Sequence, residues 1–194
     1  MIWNEHKDLK DTHAFLSASQ HSWLNYDEAK CAERFLNFEA AKRGTMLHSY
    51  AAKDIQIGKE FGIMRPANGK TYETYVNDGI KYRMNTEQIL YFSPFAYGTA
   101  DTISFRRNLL RIHDLKTGVI PAKMEQLEIY AGLFCLEYRQ KPSNIKMELR
   151  IYQNNQIVVM NYDNNPDMPS DISRIMEKII ELDGVIRKLN AEEL

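Results

Sequence analysis

Apolar positions change their spacing several times along the 194 residues, and each change predicts an element. Ser19 is a suitable cap for a short helix carrying Trp23 and Leu24. Asp27 then opens a longer run in which Cys31, Phe35, Phe38 and Ala41 recur at intervals of three and four, the signature of one helical face. Gly44 weakens that run by about 1 kcal/mol relative to alanine and predicts a break or a close backbone approach. Gly58 is a natural stop. Pro66 and Asn68-Gly69 predict a turn within residues 61–70. Residues 71–82 return to helical spacing, with Tyr72, Tyr75, Val76 and Ile80 on one side.

Strand-like runs take over near Glu87. EQILYF reads as a strand closed by Ser93-Pro94, residues 96–105 as a second, and residues 109–117 as a third. Only Arg107-Asn108 separates the last two, so they are expected to pair as an antiparallel hairpin. Pro121 opens a helix, since its missing N–H is harmless in a first turn. Met124, Leu127, Tyr130, Ala131 and Phe134 line its apolar side. Strands 144–153 and 156–163 come next, joined through Asn154-Asn155, and a last helix runs from about Ser170 to Leu189. The order is helix, helix, three strands, helix, two strands, helix. It predicts an α/β fold in which a mixed sheet of about five strands is flanked by helices. With no internal repeat or long linker, one domain over 1–194 is expected.

Composition narrows the function. Apolar residues make up 44% and charged residues 26%, ordinary for a globular chain. There is no uninterrupted run of about 18 apolar residues to span a membrane. The N-terminal MIWNEHKDLKD is charged, unlike a signal peptide, so a cytoplasmic protein without membrane association is expected. Cys31 and Cys135 stand far apart and read as free thiols. Two cysteines are too few for an iron–sulfur cluster, and none is expected. The net charge of −1 argues against coating long stretches of duplex. Nucleic acid, if bound, is expected in a confined basic cleft.

The chemistry concentrates in the strands. Asp114 and Lys116 are two apart on a predicted strand, so both project from one face, together with Leu110 and Ile112. Charges on a covered face need a partner. The plain reading is a structural ion pair. Asp101, on the neighbouring strand, can be brought beside Asp114 by the hairpin, and two adjacent carboxylates repel unless a cation lies between them. Mg²⁺ and Mn²⁺ suit such oxygen ligands. His48 lies on the long first helix; a lone helical histidine is ordinarily a surface or core residue. Gln126 and Tyr130, four apart, share a helix face suited to a phosphate or a base edge. Arg106 and Arg107, with Arg111, Lys81 and Arg83, are basic residues able to grip phosphates, or simply a solvated face.

In chain order these segments are LSAS (16–19), GTMLH (44–48), GTAD (98–101), HDLKTG (113–118) and QLEIY (126–130). Together they resemble the RecB-like branch of the PD-(D/E)XK nuclease superfamily, over about Leu16 to Tyr162. The resemblance implies a restriction-endonuclease-like core. It implies a metal site of His48, Asp101, Asp114 and the Leu115 carbonyl holding Mg²⁺ or Mn²⁺. It makes Asp101, Asp114 and Lys116 the catalytic residues, Lys116 positioning or activating the attacking water. Gln126 and Tyr130 match the helix motif that orients the DNA strand. Glu60 is a further acidic helper of undetermined place.

Many relatives carry four cysteines around an iron–sulfur cluster, which this chain lacks. The expectation is a stand-alone DNA exonuclease working on single- or double-stranded ends in recombination, repair or phage DNA metabolism. A recombination or repair protein is a conceivable partner, and an oligomer is compatible. A structure-specific endonuclease on the same scaffold, or an inert nucleic-acid- or protein-binding module, are the competing expectations.

Overall fold

The computed structural model describes residues 14–62 and 71–192. The turn expected at Pro66 and Asn68-Gly69, and the charged N-terminal segment, lie outside them. The chain forms two compact units, Met1–Thr45 and Met46–Leu194.

In the first unit, His21–Asn25 is a short 3-10 helix that contains Trp23 and Leu24. The Ser19 hydroxyl pairs with that of Ser17 at 2.9 Å and caps nothing, while the Trp23 indole donates to the Ser17 carbonyl at 2.8 Å. Asp27, by contrast, does act as a cap: its carboxylate accepts the Lys30 amide at 2.8 Å. Helix α1 (Glu28–Gln56) begins there and runs through Gly44 without a break. Phe15 packs edge-on against Phe35, with ring centroids 5.3 Å apart, and lies 5.6 Å from Phe38.

The second unit holds the end of α1, then α2 (Thr71–Lys81), β1 (Asn85–Ser93), β2 (Ala96–Arg106), β3 (Leu109–Leu115), α3 (Glu125–Glu137), β4 (Lys146–Gln153), β5 (Gln156–Asn161) and α4 (Met168–Glu192). The five strands form one mixed sheet in chain order. Every neighbouring pair is antiparallel except β3 and β4, which are parallel and joined through α3. A parallel pair needs such a crossover, whereas an antiparallel pair can close in two residues. The two tight turns obey this. Arg107 and Asn108 have φ of 50° and 60°, Asn154 and Asn155 of 50° and 59°. These are the left-handed pairs that match strand twist in a hairpin.

The apolar pattern is used on both sheet faces. Leu110, Ile112, Leu149 and Ile151 are buried with Leu127 and Ala131 of α3 and Ile172 of α4. Leu115 and Tyr152 belong to a second cluster with Ala51 and Ile55 of α1 and Tyr75 and Val76 of α2. Beside the second cluster lies a polar network. Asp78 accepts hydrogen bonds from Tyr152 Oη at 2.6 Å and Arg150 Nη1 at 2.9 Å. Glu148 is paired with Arg150 at 3.1 Å and Arg111 at 2.9 Å. The Tyr82 ring is flanked by both guanidinium groups, 4.4 and 5.1 Å from its centroid. Among the described residues no helix is long and apolar enough to cross a membrane.

Helix α3 starts at Glu125, four residues after the expected Pro121. The cause is remote in sequence. Gln153 accepts the Ala122 amide at 2.9 Å and donates to the carbonyls of Gly118 and Ile120 at 2.5 and 2.8 Å. Residues 118–122 commit their backbone groups to that side chain and not to a helical turn.

Candidate active site

The ladder of β2 and β3 pairs Thr102 with His113 at its last position. One step further along the same register Asp101 stands across from Asp114, as the hairpin predicts. Asp114 is buried, 2% exposed, on the face that also carries Leu110 and Ile112. Lys116 lies just past the strand end, and its amide continues the pairing by donating to the Tyr152 carbonyl at 2.9 Å.

Asp101 is held from two sides. Its Oδ2 accepts the Leu115 amide at 3.0 Å and lies 3.1 Å from His48 Nδ1 on α1. The hydrogen bond to Asp101 raises the His48 pKa above its ordinary value, against the opposing effect of burial. Asp114 Oδ2 stands 3.0 Å from Lys116 Nζ, yet takes no hydrogen bond of good geometry. Burial, and then the charge of Asp101, hold its carboxyl above the usual carboxylate range, against the pull of Lys116. Two carboxylates this close repel, and each is set against a basic partner, Asp114 against Lys116 and Asp101 against His48.

From Lys116 the contacts run on to α3. Its Nζ donates to Gln126 Oε1 at 2.8 Å, and Gln126 Nε2 donates to the Tyr130 hydroxyl at 3.0 Å. The Tyr130 phenol is itself raised, chiefly by burial. Gly98 makes room for it: a Cβ there would stand 2.9 Å from Tyr130 Cε1. One connected set thus gathers His48, Asp101, Leu115, Asp114, Lys116, Gln126 and Tyr130 at the end of β3 where the chain leaves the sheet.

Arg106 and Arg107 are not part of it. They occupy the far end of the hairpin, where Arg106 pairs with Leu109. Five residues separate Asp101 from Arg106, roughly 17 Å along a strand. Arg111 is engaged with Glu148, and Glu60 is exposed beyond the end of α1.

Sequence reasoning misses Glu87. The β1–β2 ladder pairs Thr86 with Thr102 and Gln88 with Ala100, so Glu87 falls opposite Asp101, where the ladder is interrupted. Glu87 has φ of 50°, a left-handed conformation uncommon in a strand. Burial and the neighbouring Asp101 raise its pKa, while His48 lowers it. Counting from the two-residue turn at Pro94-Phe95, which pairs Ser93 with Ala96, sets Gln88 opposite Asp101; an irregularity between Tyr91 and Ser93 shifts the register by one residue and brings Glu87 there instead.

The donor types suit a hard divalent cation: two carboxylates, an imidazole and a backbone carbonyl. Asp114 Oδ2 is buried and takes no hydrogen bond of good geometry, with the Lys116 ammonium 3.0 Å away. Among the described residues, however, no group of three or more His, Cys, Asp or Glu side chains converges on a point suited to a metal. His48 is turned onto Asp101, and Lys116 onto Asp114, so the charges neutralise one another in pairs. A groove of about 520 Å³ lies elsewhere, at the Leu109–Lys146 end of β3 and β4, and none of the gathered residues lines it. No protein-family model, curated protein or solved structure matches the chain.

Proposed function

We propose that the chain is a divalent-metal-dependent nuclease of the RecB-like PD-(D/E)XK kind, hydrolysing phosphodiester bonds of DNA from its ends. The observation that carries the reading is the continuous run of contacts from Asp114 through Lys116 and Gln126 to Tyr130, beside the His48–Asp101 pair. A structural ion pair accounts for Asp114 and Lys116 alone. It does not account for a second carboxylate beside them, or for an amide and a phenol that hold the lysine in place.

Each residue has a task in hydrolysis. Asp101 and Asp114, with the Leu115 carbonyl, are the groups that would hold Mg²⁺ or Mn²⁺. Bound there, the ion supplies a water of lowered pKa and a Lewis acid for the phosphoryl oxygen. His48 holds Asp101 from the α1 side, and the Leu115 amide fixes the same carboxylate from β3. Lys116 is aimed by Gln126 and Asp114, so its ammonium offsets the charge that develops on the phosphoryl group without rearranging first. Gln126 and Tyr130 offer an amide and a hydroxyl to the adjoining backbone phosphate.

The test uses end-labelled linear duplex, linear single strand and covalently closed circular DNA, with Mg²⁺, Mn²⁺ or EDTA. Metal-dependent loss of linear substrate only, absent from Lys116→Ala, is the expected result. Cleavage of the circle as well replaces the exonuclease by an endonuclease. No cleavage with any metal removes the nuclease reading and leaves a binding module.

A further inference from the structure

The end of β2 that carries Arg106 and Arg107 away from the candidate site borders a pocket. It has a volume of about 340 Å³ and lies between the start of β1, the end of β2 and the end of α3. Small-ligand pockets begin at about 300 Å³. The floor is apolar, with Leu90 and Ile103 buried. The wall is aromatic. Phe134 packs against both Phe105 and Tyr138, with ring centroids 5.1 and 4.9 Å apart. Phe105 and Tyr138 line the pocket and are 40% and 48% exposed, so their rings are open to a ligand.

The rim is polar, and its groups have fixed roles. Gln88 Nε2 donates to the Ile89 carbonyl at 2.9 Å, and Gln140 Nε2 to the Tyr138 carbonyl at 3.0 Å. A carbonyl can only accept, so both amide nitrogens are committed. Each Oε1 is left as an acceptor without a partner among the described residues, at the edge of the pocket that both glutamines line.

Cations gather on the same three chain segments. Arg83, Arg106, Arg107, Arg139 and Lys141 each lie within two residues of a lining residue, so their Cα atoms are at most about 7 Å from it. All of them are exposed, and none has an ion pair among the described residues. The acids nearby are engaged elsewhere: Glu137 accepts the Tyr91 amide at 2.8 Å, and Glu87 falls opposite Asp101. In a chain of net charge −1 this is a local surplus of positive charge.

An apolar slot with aromatic walls, two acceptors at its edge and cations around it fits a nucleobase and its phosphates. Bases stack on such rings, and arginines take the backbone. A paired base offers neither its faces nor its pairing edge, so the base must be unpaired. Two acceptors select an exocyclic amino group, which cytosine has and thymine lacks. Cations on three segments exceed what one phosphate engages, and so point to a strand and not to a free nucleotide. The place is distinct from the candidate active site. Phe105 is four residues from Asp101, about 13 Å along a strand, and Tyr138 is twelve from Gln126, about 18 Å at helical rise. None of the residues gathered at the end of β3 lines the pocket.

We propose that this pocket holds one unpaired, amino-bearing base of a single-stranded nucleic acid, with the flanking phosphates on the surrounding arginines. The proposal does not depend on the nuclease reading.

The test follows the fluorescence anisotropy of labelled oligo(dC) in EDTA, where metal-dependent cleavage cannot proceed. Oligo(dT) of equal length, the duplex of oligo(dC) with its complement, and free cytidine monophosphate are compared. Oligo(dC) is expected to bind more tightly than oligo(dT), and more tightly than the duplex. Tyr138→Ala should weaken the binding of oligo(dC) by about tenfold or more, the scale of one lost base–aromatic stack. Tyr138→Phe should retain it. Arg106→Gln/Arg139→Gln should lower the slope of log Kd against log salt by about 1.4, the share of two phosphates on a single strand.

Wild-type affinity in Tyr138→Ala, or equal affinity for oligo(dC), oligo(dT) and the duplex, overturns the proposal. Competition by cytidine monophosphate at the same nucleotide concentration as oligo(dC) overturns the strand and leaves a free nucleotide in its place. Self-association that Tyr138→Ala abolishes makes this face a contact between copies of the chain and overturns it as well. Thermal melting of Tyr138→Ala, set beside the binding kept by Tyr138→Phe, separates a lost contact from a lost fold. Because binding is read without cleavage, failure of the nuclease reading leaves this result standing.

Discussion

Gly98 and Tyr130 fit together so closely that a single added carbon at Gly98 would stand 2.9 Å from the Tyr130 ring. No relaxed contact is that short, so Gly98→Ala must move the phenol. Through the Gln126 amide, the movement reaches Lys116. In a strand, replacing glycine by alanine ordinarily stabilises by about 0.4–1 kcal/mol through the unfolded chain. Gly98→Ala should instead melt at or below the wild-type temperature and lose about tenfold or more in kcat, the effect of a small displacement of a positioned group. Steady-state kinetics with calorimetry checks both; full activity would show that Tyr130 has no part in catalysis.

Asp114→Asn separates stability from activity. The native carboxylate is buried beside Asp101, so removing its charge relieves repulsion while losing the Lys116 pair. These effects oppose, and the net change should stay within about 1 kcal/mol, roughly 2–4 °C in Tm for a chain of this size. Activity should fall by at least about a hundredfold. Mn²⁺ should raise the Tm of the wild-type chain, by about 2.7 kcal/mol of linkage at a hundred times its Kd, and leave that of the variant unmoved. A metal-dependent shift of equal size in the variant would dissociate Asp114 from metal binding.

Acid should weaken the fold through Glu148. His113, at 4.0 Å, and hydrogen bonds from Arg150 and Arg111 hold its carboxyl down at about 2, against the opposing effect of burial. A carboxyl whose folded pKa lies below its unfolded value takes up its proton first in the unfolded chain. Its contribution is complete above the unfolded value of about 4.3 and disappears as the pH falls from there toward 2. Denaturation monitored between pH 6 and pH 2 should show this loss. Glu148→Gln should flatten the slope in that window and cost on the order of 3 kcal/mol at neutral pH, because it leaves two guanidinium groups short of a partner.

Cys135 should be inert. It lies on the buried side of α3, 1% exposed, and burial pushes its thiol up to about 12. Cys31 is only partly covered. A thiol-specific reagent at pH 8 should modify Cys31 promptly and Cys135 only after unfolding, which peptide mapping of the labelled chain distinguishes.

Much of this arrangement comes from local pattern. The switch from helical spacing to strand-like runs locates all five strands, and the two-residue turn at Arg107-Asn108 places Asp101 opposite Asp114 before any coordinate is known. What escapes is what depends on distant residues. The start of α3 is delayed by Gln153, more than thirty positions away, and no local signal at Pro121 carries that information. Arg106 and Arg107 are basic and near the site in sequence, yet a strand carries them to its other end, because charge says nothing of direction along an extended chain. Phe35 and Phe38 mark a correct helical face, but both remain substantially exposed in the first unit. Glu87 escapes because the count from the Pro94-Phe95 turn points to Gln88, and the register shift between Tyr91 and Ser93 that replaces it with Glu87 has no local signal.

The parallel pairing of β3 with β4 bears on how the protein is made. His48, Asp101, Asp114, Lys116, Gln126 and Tyr130 all emerge from the ribosome before β4 does. Until Lys146–Gln153 arrives, β3 has one open edge, and neither the Tyr152 carbonyl that receives the Lys116 amide nor the Gln153 side chain that fastens the adjoining loop is in place. A nascent chain thus holds every residue of the candidate site well before it can hold them still. A ribosome stalled after Tyr130 would display every side chain of the candidate site without the strand and loop that hold them in place.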